Sequence, residues 1–268
     1  MPELPPGWAT DLAILRHTGS TIENRGDHLL VRTPANPDFH WGHCLFVTNP
    51  AAVDDAGRWV RTFQSAFPEV GWVAIGLITM PAELDAWSAL GLGLEQDDVL
   101  TTRTLPRLTP RPQGYAVRRL TGDDWARSVA RSVAENDRTG DEEPLSFERF
   151  ATAQAQARRE LSERGVGASF GAFKAGLLVA ELGIVACGQT ARYQSVGTDQ
   201  DHRRRGLASH LLGVAARWAA DYGCDRWVIV TEESNPAGRV YRSLGFEPDI
   251  GNARAYRKPP PGKAGLSC

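Results

Sequence analysis

The sequence predicts an α/β protein built from two related halves. Strand-like runs such as "RWVIVT" alternate with helix-like segments along the second half, in the order βαα, several β, α, β, α. The first half repeats part of this order: "AWSALGL" at 86–92 resembles "VYRSLGF" at 240–246, and a β-branched apolar run lies shortly upstream of each. The Pro-rich segment "LPRLTPRPQG" separates the two halves. We therefore expect a tandem arrangement.

These features set the expected domain boundaries. We expect a first domain at 1–104, a linker at 105–114, a second domain at 115–258 and a flexible tail at 259–268. The linker assignment rests on its prolines, which withhold backbone donors and forbid a continuous helix. The tail assignment rests on the Pro-rich composition of "KPPPGKAGLSC".

The composition is that of an ordinary globular protein. Of the 268 residues, 42% are hydrophobic and 23% are charged, which excludes wholesale disorder. The 30 Lys and Arg nearly balance the 32 Asp and Glu, so we expect no nucleic-acid partner, because such proteins usually carry a clearly basic domain. No apolar run is long enough to span a bilayer, and "MPELPPGWATDL" lacks the pattern of a signal peptide. We expect a cytoplasmic protein with no membrane partner.

The cysteines predict a reduced chain without a disulfide framework or a structural metal. His40 and His43 precede a cysteine in "FHWGHC", but no further ligand set follows, so a packed strand with aromatic neighbours is the better interpretation. The four cysteines lie far apart in no ligand spacing: Cys44, Cys187, Cys224 and Cys268.

The second half contains the clearer elements. "YAVRRL" predicts a short strand, and Thr121 is a candidate cap for a helix through "DDWARSVARSVAE". A second helix follows in "SFERFATAQAQARRELSERG", ended by Gly165. "GASFGAF" and "LLVAELGIV" predict a hairpin through "KAG", and "ARYQSV" predicts a further strand. An amphipathic helix then ends near Gly223.

Three consecutive arginines lie in "VGTDQDHRRRGLASHLL", between a predicted strand and that amphipathic helix. The first amides of a helix have no partner inside the helix, and together with the helix dipole they attract anions. Gly206 would let the backbone approach a diphosphate closely, and arginine side chains would add charge-assisted hydrogen bonds. The pattern predicts a phosphate-binding loop.

This segment resembles the pyrophosphate-binding loop R-x-x-G-x-A of the GNAT superfamily of acyl-CoA-dependent N-acyltransferases, through Arg203, Gly206 and Ala208. "YQSVGT", "HRRRGLA", "WVIVTEESN" and "AGRVYRSLGF" follow one another in that family's order. The resemblance implies a mixed, mostly antiparallel sheet flanked by helices, with acetyl-CoA as cosubstrate and no metal. The implied acetyl-CoA-binding residues are Ser195, Val196, Thr198, Arg203, Arg204, Arg205, Gly206, Leu207, Ala208 and Asn235.

The resemblance also implies a mechanism, in which an amine attacks the thioester carbonyl directly. The backbone N–H of Val196 or Ser195 would polarise that carbonyl. Tyr241 would protonate the leaving thiolate, because a phenol with a pKa near ~10 stays protonated at neutral pH; otherwise it is a packing residue. Glu181 is the expected general base, with an ion-pair role as the alternative. Glu232 and Glu233 are the other candidate bases.

The first half lacks the residues that this chemistry needs. Asp54 and Asp55 lie where the second half has its arginines, and Trp87 occupies the position that corresponds to Tyr241. Carboxylates would repel a diphosphate, and an indole cannot serve as the same acid. We therefore expect a degenerate GNAT-like N-terminal half that binds no CoA.

The predicted function is an N-acetyltransferase acting on a small-molecule amine, in a monomer or homodimer. Acetylation of a protein or peptide amine is an alternative, as is a non-catalytic acyl-CoA sensor. The acceptor itself leaves no readable mark in the residues, because fold and cofactor loop do not fix the substrate.

Overall fold

The computed structural model describes residues 4–233 and 235–260 of the chain. These residues fall into two units. The first contains the chain up to Asp98 together with the segment from Ile250 onward, and the second is Val99–Asp249. Among the described residues, no helix combines the length and the apolar character needed to cross a membrane.

The first unit is a sheet with three helices. Its strands lie in the order β1-β2-β3-β4-β12-β5. β3 and β4 are parallel, and the other neighbours are antiparallel. The elements are α1 Pro6–His17, β1 Thr21–Asn24, β2 His28–Arg32, β3 Cys44–Val47, α2 Ala56–Ala66, β4 Val73–Leu77, α3 Leu84–Ser88, β5 Gly93–Thr102 and β12 Asn252–Arg257.

Aromatic side chains fill the core of this unit. Trp59 and Trp87 are fully buried in it. His40 stacks on Trp72 with ring centroids 4.1 Å apart, and His43 meets the same indole edge-on. The expected aromatic neighbours of these histidines are therefore confirmed. The expected strand is wrong, because His40 lies in the 3₁₀ helix His40–Gly42 and His43 precedes β3. Burial lowers the pKa of His43, which favours its neutral form.

The second unit is a sheet with four helices. Its strands lie in the order β5-β10-β9-β8-β7-β6, and β11 pairs with the last residues of β5. β6 to β9 are antiparallel neighbours, whereas β9 and β10 are parallel. The elements are β6 Ala116–Arg119, α4 Asp124–Thr139, α5 Pro144–Glu163, β7 Gly167–Lys174, β8 Leu177–Cys187, β9 Thr190–Thr198, α6 Leu207–Tyr222, β10 Arg226–Glu232, α7 Ala237–Ser243 and β11 Glu247–Pro248.

Local sequence signals explain most of these elements. The β7–β8 hairpin turns through Ala175 and Gly176, both with positive φ, which is the geometry of a tight two-residue hairpin. α6 lies between two glycines with positive φ, Gly206 and Gly223. The expected cap by Thr121 does not form: the Asp124 side chain instead accepts a hydrogen bond from the Thr121 amide. The reason is that α4 begins at Asp124 with Asp123 as its N-cap residue, so Thr121 does not occupy the capping position.

The two units share one topological feature. In the first, α2 connects the parallel strands β3 and β4, and α3 follows β4. In the second, α6 connects the parallel strands β9 and β10, and α7 follows β10. The fold class is therefore as predicted, a tandem of mixed, mostly antiparallel sheets flanked by helices.

The predicted linker, 105–114, is part of the second unit and packs along its helix α6. His210 on α6 donates to the carbonyl of Thr109 (2.7 Å), and Arg217 donates to the carbonyl of Pro106 (3.1 Å). A Cβ on Gly213 would lie 2.7 Å from the Arg107 carbonyl oxygen, so glycine is needed for this close approach. The segment is a strap along α6.

The bounds of the two units differ from the expected domain bounds because strands that are distant in the sequence pair with one another. The division falls between Asp98 and Val99, inside β5, and β12 pairs with β4 and β5 in the first unit although its residues lie in the predicted second domain. Strand pairing over such a sequence separation has no local signal. Residues 261–268 of the expected tail, with Cys268, lie outside the described residues.

Candidate functional site

Two adjacent parallel strands frame the candidate site. β9 and β10 are paired only where Arg226–Val228 face Thr190–Arg192, although the strands continue to Thr198 and Glu232. The carboxyl ends of parallel strands lie at the same edge of a sheet, and ligands of α/β proteins commonly bind there. Every residue of the expected site lies at this edge or on the segments that follow it, and Glu181 lies there on the antiparallel neighbour β8, opposite Gly197.

A β-bulge interrupts β9 at the expected carbonyl-polarising residues. On β8, Gly183 faces Gln194 and Glu181 faces Gly197, so one β8 residue lies opposite both Ser195 and Val196. Ser195 has a φ of 51°, in the left-handed region that non-glycine residues rarely adopt. Bulges of this kind re-aim backbone groups and are common beside active sites. The amides of Ser195 and Val196 therefore lie outside the regular hydrogen-bonding pattern between β8 and β9.

The arginine-rich loop leads from β9 into the start of α6. A short 3₁₀ turn, Gln200–His202, precedes it. Arg204 and Gly206 have φ values of 59° and 76°, and Gly206 is the N-cap residue. No side chain of the described residues caps this helix start. The first amides of α6 are thus left for an anion, and a Cβ on Gly206 would find nothing closer than 3.9 Å, so the approach is open.

The three arginines of the loop differ in their contacts. The Arg203 Nε donates to the carbonyl of Thr198 (3.0 Å), and its Nη2 lies 3.2 Å from Glu135 Oε1 on α4. Arg205 makes a long hydrogen bond to the carbonyl of Asp201 (3.4 Å). Arg204 is exposed and forms no ion pair with the described part of the chain. All three cations therefore remain accessible at the helix start.

Leu207 and Ala208 would contact a ligand through their backbone and not through their side chains. Leu207 is 2% exposed and belongs to the core of the second unit. After the neighbouring strand β10, the Asn235 side chain accepts a hydrogen bond from the Ala237 amide at the start of α7 (3.0 Å).

Tyr241 lies on α7 and is 4% exposed. No hydrogen bond joins its hydroxyl to any residue of 4–233 or 235–260. Burial raises the pKa of Tyr241 to about 12 because the phenolate would lose its hydration. The phenol therefore stays protonated at neutral pH with a proton available to donate.

Glu181, the expected general base, lies in a buried ion-pair cluster. It is 1% exposed. Its Oε2 accepts from the hydroxyl of Ser128 (2.7 Å) and lies 3.5 Å from Nη1 of Arg158. Its Oε1 accepts from both Nε (3.1 Å) and Nη2 (2.9 Å) of Arg131. Both oxygens are occupied, so this geometry favours the ion-pair alternative over the base.

Glu232 and Glu233, the other candidate bases, are exposed at the end of β10. Neither forms an ion pair with the described residues. They are therefore the carboxylates of this strand end that can exchange protons with solvent or with an approaching amine.

Sequence reasoning missed the contribution of α4. Arg131 and Glu135 contact Asp199 and Arg203 in the loop. Arg138 and Arg203 hold the pKa of Glu135 below its usual range. The spacing of Ser128, Arg131 and Glu135 along one face of α4 was the available signal.

The equivalent helix start in the first unit is closed by its own side chains. The Asp55 carboxylate caps α2 by accepting from the Arg58 amide (3.1 Å), and Asp54 accepts from the Glu83 amide (2.9 Å). Trp87 on α3 is fully buried. The geometry supports the predicted loss of anion binding in this half.

Comparisons with known proteins identify the fold. The family model described as "Acetyltransferase (GNAT) family" matches residues 132–246. A GCN5-related N-acetyltransferase from Kribbella flavida superposes with a TM-score of 0.65 at 17% identity, over 95% of this chain and 94% of that chain. A tandem GNAT protein from the clavulanic acid biosynthesis pathway gives 0.57 at 14% identity, over 96% and 89%. A functionally unknown conserved protein from Staphylococcus epidermidis gives 0.68 at 9% identity, over 91% and 96%. No curated protein matches the chain.

Proposed function

Since the model of the acetyltransferase (GNAT) family matches residues 132–246, we propose that the protein transfers an acetyl group from acetyl-CoA to the primary amine of a small molecule. The observation that carries the proposal is the uncapped start of α6, flanked by Arg203, Arg204 and Arg205, beside the diverging ends of β9 and β10. Acetyl-CoA supplies an activated thioester carbonyl and a thiolate leaving group. The residues of this chain would bind acetyl-CoA, polarise its carbonyl and move the protons.

The α6 start fits the diphosphate of acetyl-CoA. The amides that begin α6 would donate to its oxygens, and Gly206 leaves room for them to approach. Arg204 and Arg205 would neutralise its charge through charge-assisted hydrogen bonds. Arg203 would do so from a guanidinium already anchored at Thr198.

The bulge of β9 supports the acyl end of the reaction. The amide of Val196 or Ser195 would donate to the carbonyl oxygen, where negative charge develops as the amine attacks. Donors that are fixed before the reaction stabilise this charge without reorganisation. The bulge supplies such fixed donors.

Two protons must move during the transfer. The amine nitrogen loses one as it bonds to the carbonyl carbon, and the sulfur gains one as the C–S bond breaks. Tyr241 would donate to the sulfur. Glu232 or Glu233 would receive the proton of the amine, directly or through water, because Glu181 is already occupied.

Release of free CoA in the presence of amines tests this proposal. We expect the full-length protein with acetyl-CoA to release thiol faster when one member of a panel of small primary amines is added, with the N-acetylated amine detected by mass spectrometry. Tertiary amines of similar size are the matched control, because they cannot form a stable amide. Thiol release that is the same with every amine and with none would contradict the proposed transfer.

A further inference from the structure

Helix α4 directs three polar side chains at the site from one face. Ser128, Arg131 and Glu135 are three and four residues apart, which places them in a row along the helix. Ser128 contacts Glu181 on β8, Arg131 contacts Glu181 and Asp199, and Glu135 contacts Arg203. The row therefore follows the path of the chain from the sheet into the arginine-rich loop.

Arg131 makes the most extensive of these contacts. Its side chain is 15% exposed. Nε and Nη2 donate to Glu181 Oε1 at 3.1 and 2.9 Å, and Nη1 donates to Asp199 Oδ1 at 3.2 Å. The guanidinium is planar and its donors are fixed relative to one another, so these bonds hold the two carboxylates at a set separation. One carboxylate belongs to β8 and the other to the residue that follows β9.

The guanidinium also packs on the backbone of β9. A Cβ at Gly197 would lie 2.7 Å from Arg131 Nη2 and 3.1 Å from Nη1, so only glycine accommodates this contact without displacement. Gly197 is also the register partner of Glu181. Arg131 thus contacts β9 directly after the bulge of Ser195 and Val196, and again at Asp199.

From this geometry we infer that Arg131 is a positioning residue, which holds the bulged end of β9 where its amide can polarise the acyl carbonyl. The inference rests on the proposed function. A displacement of about 1 Å in a reacting geometry can lower a rate by about 10²-fold. Arg131 need not touch a substrate to have this effect. In this account Glu181 serves to fix Arg131 and is not the base.

The test compares Arg131→Gln with the matched control Arg127→Gln. Arg127 lies on the same helix and also forms an ion pair, with Asp124 at 3.2 Å, but its side chain is half exposed. Among the described residues, no hydrogen bond or ion pair joins it to β9. The probe is acetyl-CoA labelled with ¹³C at its acetyl carbonyl. The stretching frequency of that carbonyl in the bound state reports how strongly the carbonyl is polarised, and the measurement needs no acceptor amine. The dissociation constant is measured by calorimetry. Turnover is measured with the amine that the panel described above identifies as an acceptor.

We expect the carbonyl frequency of bound acetyl-CoA to be lowered in the wild type and in Arg127→Gln, and to return toward the free value in Arg131→Gln. Turnover should fall about 10²-fold in Arg131→Gln, with the dissociation constant near the wild-type value. The reason is that the loop retains its contacts of Arg203 with Thr198 and of His202 with Tyr115. The pH dependence of the remaining turnover should be unchanged.

Asp199→Asn keeps the buried pair of Arg131 and Glu181 and removes only the negative charge of the outer partner, so it serves if Arg131→Gln does not fold. It should shift the carbonyl frequency in the same direction by a smaller amount. Wild-type frequency and turnover in the folded variant would overturn the inference. A wild type that fails to bind acetyl-CoA would instead overturn the proposed function, and the positioning role with it.

Discussion

Replacing Tyr241 with phenylalanine is expected to lower turnover by about 10²–10⁴-fold, the usual contribution of a positioned proton donor. The ring is buried in the core of the second unit and would remain there, so the fold and the affinity for acetyl-CoA should be retained. Only the hydroxyl, which has no hydrogen-bond partner among the described residues, is lost. Steady-state thiol release and a calorimetric titration together measure the effect.

Tyr193→Phe is the matched control for that substitution. Tyr193 is buried in the same core, and its hydroxyl donates to the carbonyl of Leu212 on α6 (2.9 Å). Its loss should reduce stability and leave turnover close to the wild type. The pH dependence of turnover adds a second check. Burial raises the pKa of Tyr241 to about 12, so deprotonation of this phenol cannot reduce turnover until the pH approaches that value. Equal turnover of Tyr241→Phe and Tyr193→Phe would remove Tyr241 from the mechanism.

Replacing Glu181 with glutamine is expected to lower the free energy of unfolding by about 3–5 kcal/mol, the typical cost of removing one partner from a buried ion pair. Both Arg131 and Arg158 would lose their shared buried counter-charge. Burial already lowers the pKa of Arg158, and the charge of Glu181 opposes that shift. Denaturant unfolding of the two proteins gives the difference directly.

Glu163→Gln is the matched control for this stability effect. Glu163 pairs with Arg159 at 2.8 Å, but its side chain is 59% exposed, so its loss should cost at most about 1 kcal/mol. If Glu181→Gln cost no more than Glu163→Gln, the cluster would not be the structural centre that its burial indicates. The base role of Glu181 would then regain support.

The parts of the site that depend on local chemistry could be predicted from the sequence. Gly206 and Gly223 bound α6 because a positive φ at a helix end is a local requirement that glycine meets. The arginines directly precede Gly206 and α6 in the sequence, so their place at the helix start needed no knowledge of distant residues. The hairpin through Ala175 and Gly176 is of the same kind.

Features that depend on distant pairing could not be predicted. Glu181 meets Ser128 and Arg131 across about fifty residues of chain, and nothing within its own strand distinguishes a base from an ion-pair partner. Proline content marks the segment 105–114 as non-helical, but its strap along α6 depends on His210 and Arg217. The pairing of β12 with β4 and β5 has the same origin, because tertiary contacts decide it.

A calorimetric titration of acetyl-CoA into the full-length protein tests the central claim most directly. The wild type and Arg159→Ala, which alters an exposed arginine of α5, should bind saturably and with equal affinity. The double variant Arg203→Ala, Gly206→Glu should remain folded and show no binding, because it removes a cation and places a carboxylate at the start of α6. Undiminished binding by the folded double variant would contradict the assignment of this loop to the diphosphate. Absence of binding by the wild type would contradict the proposed acetyl transfer as a whole.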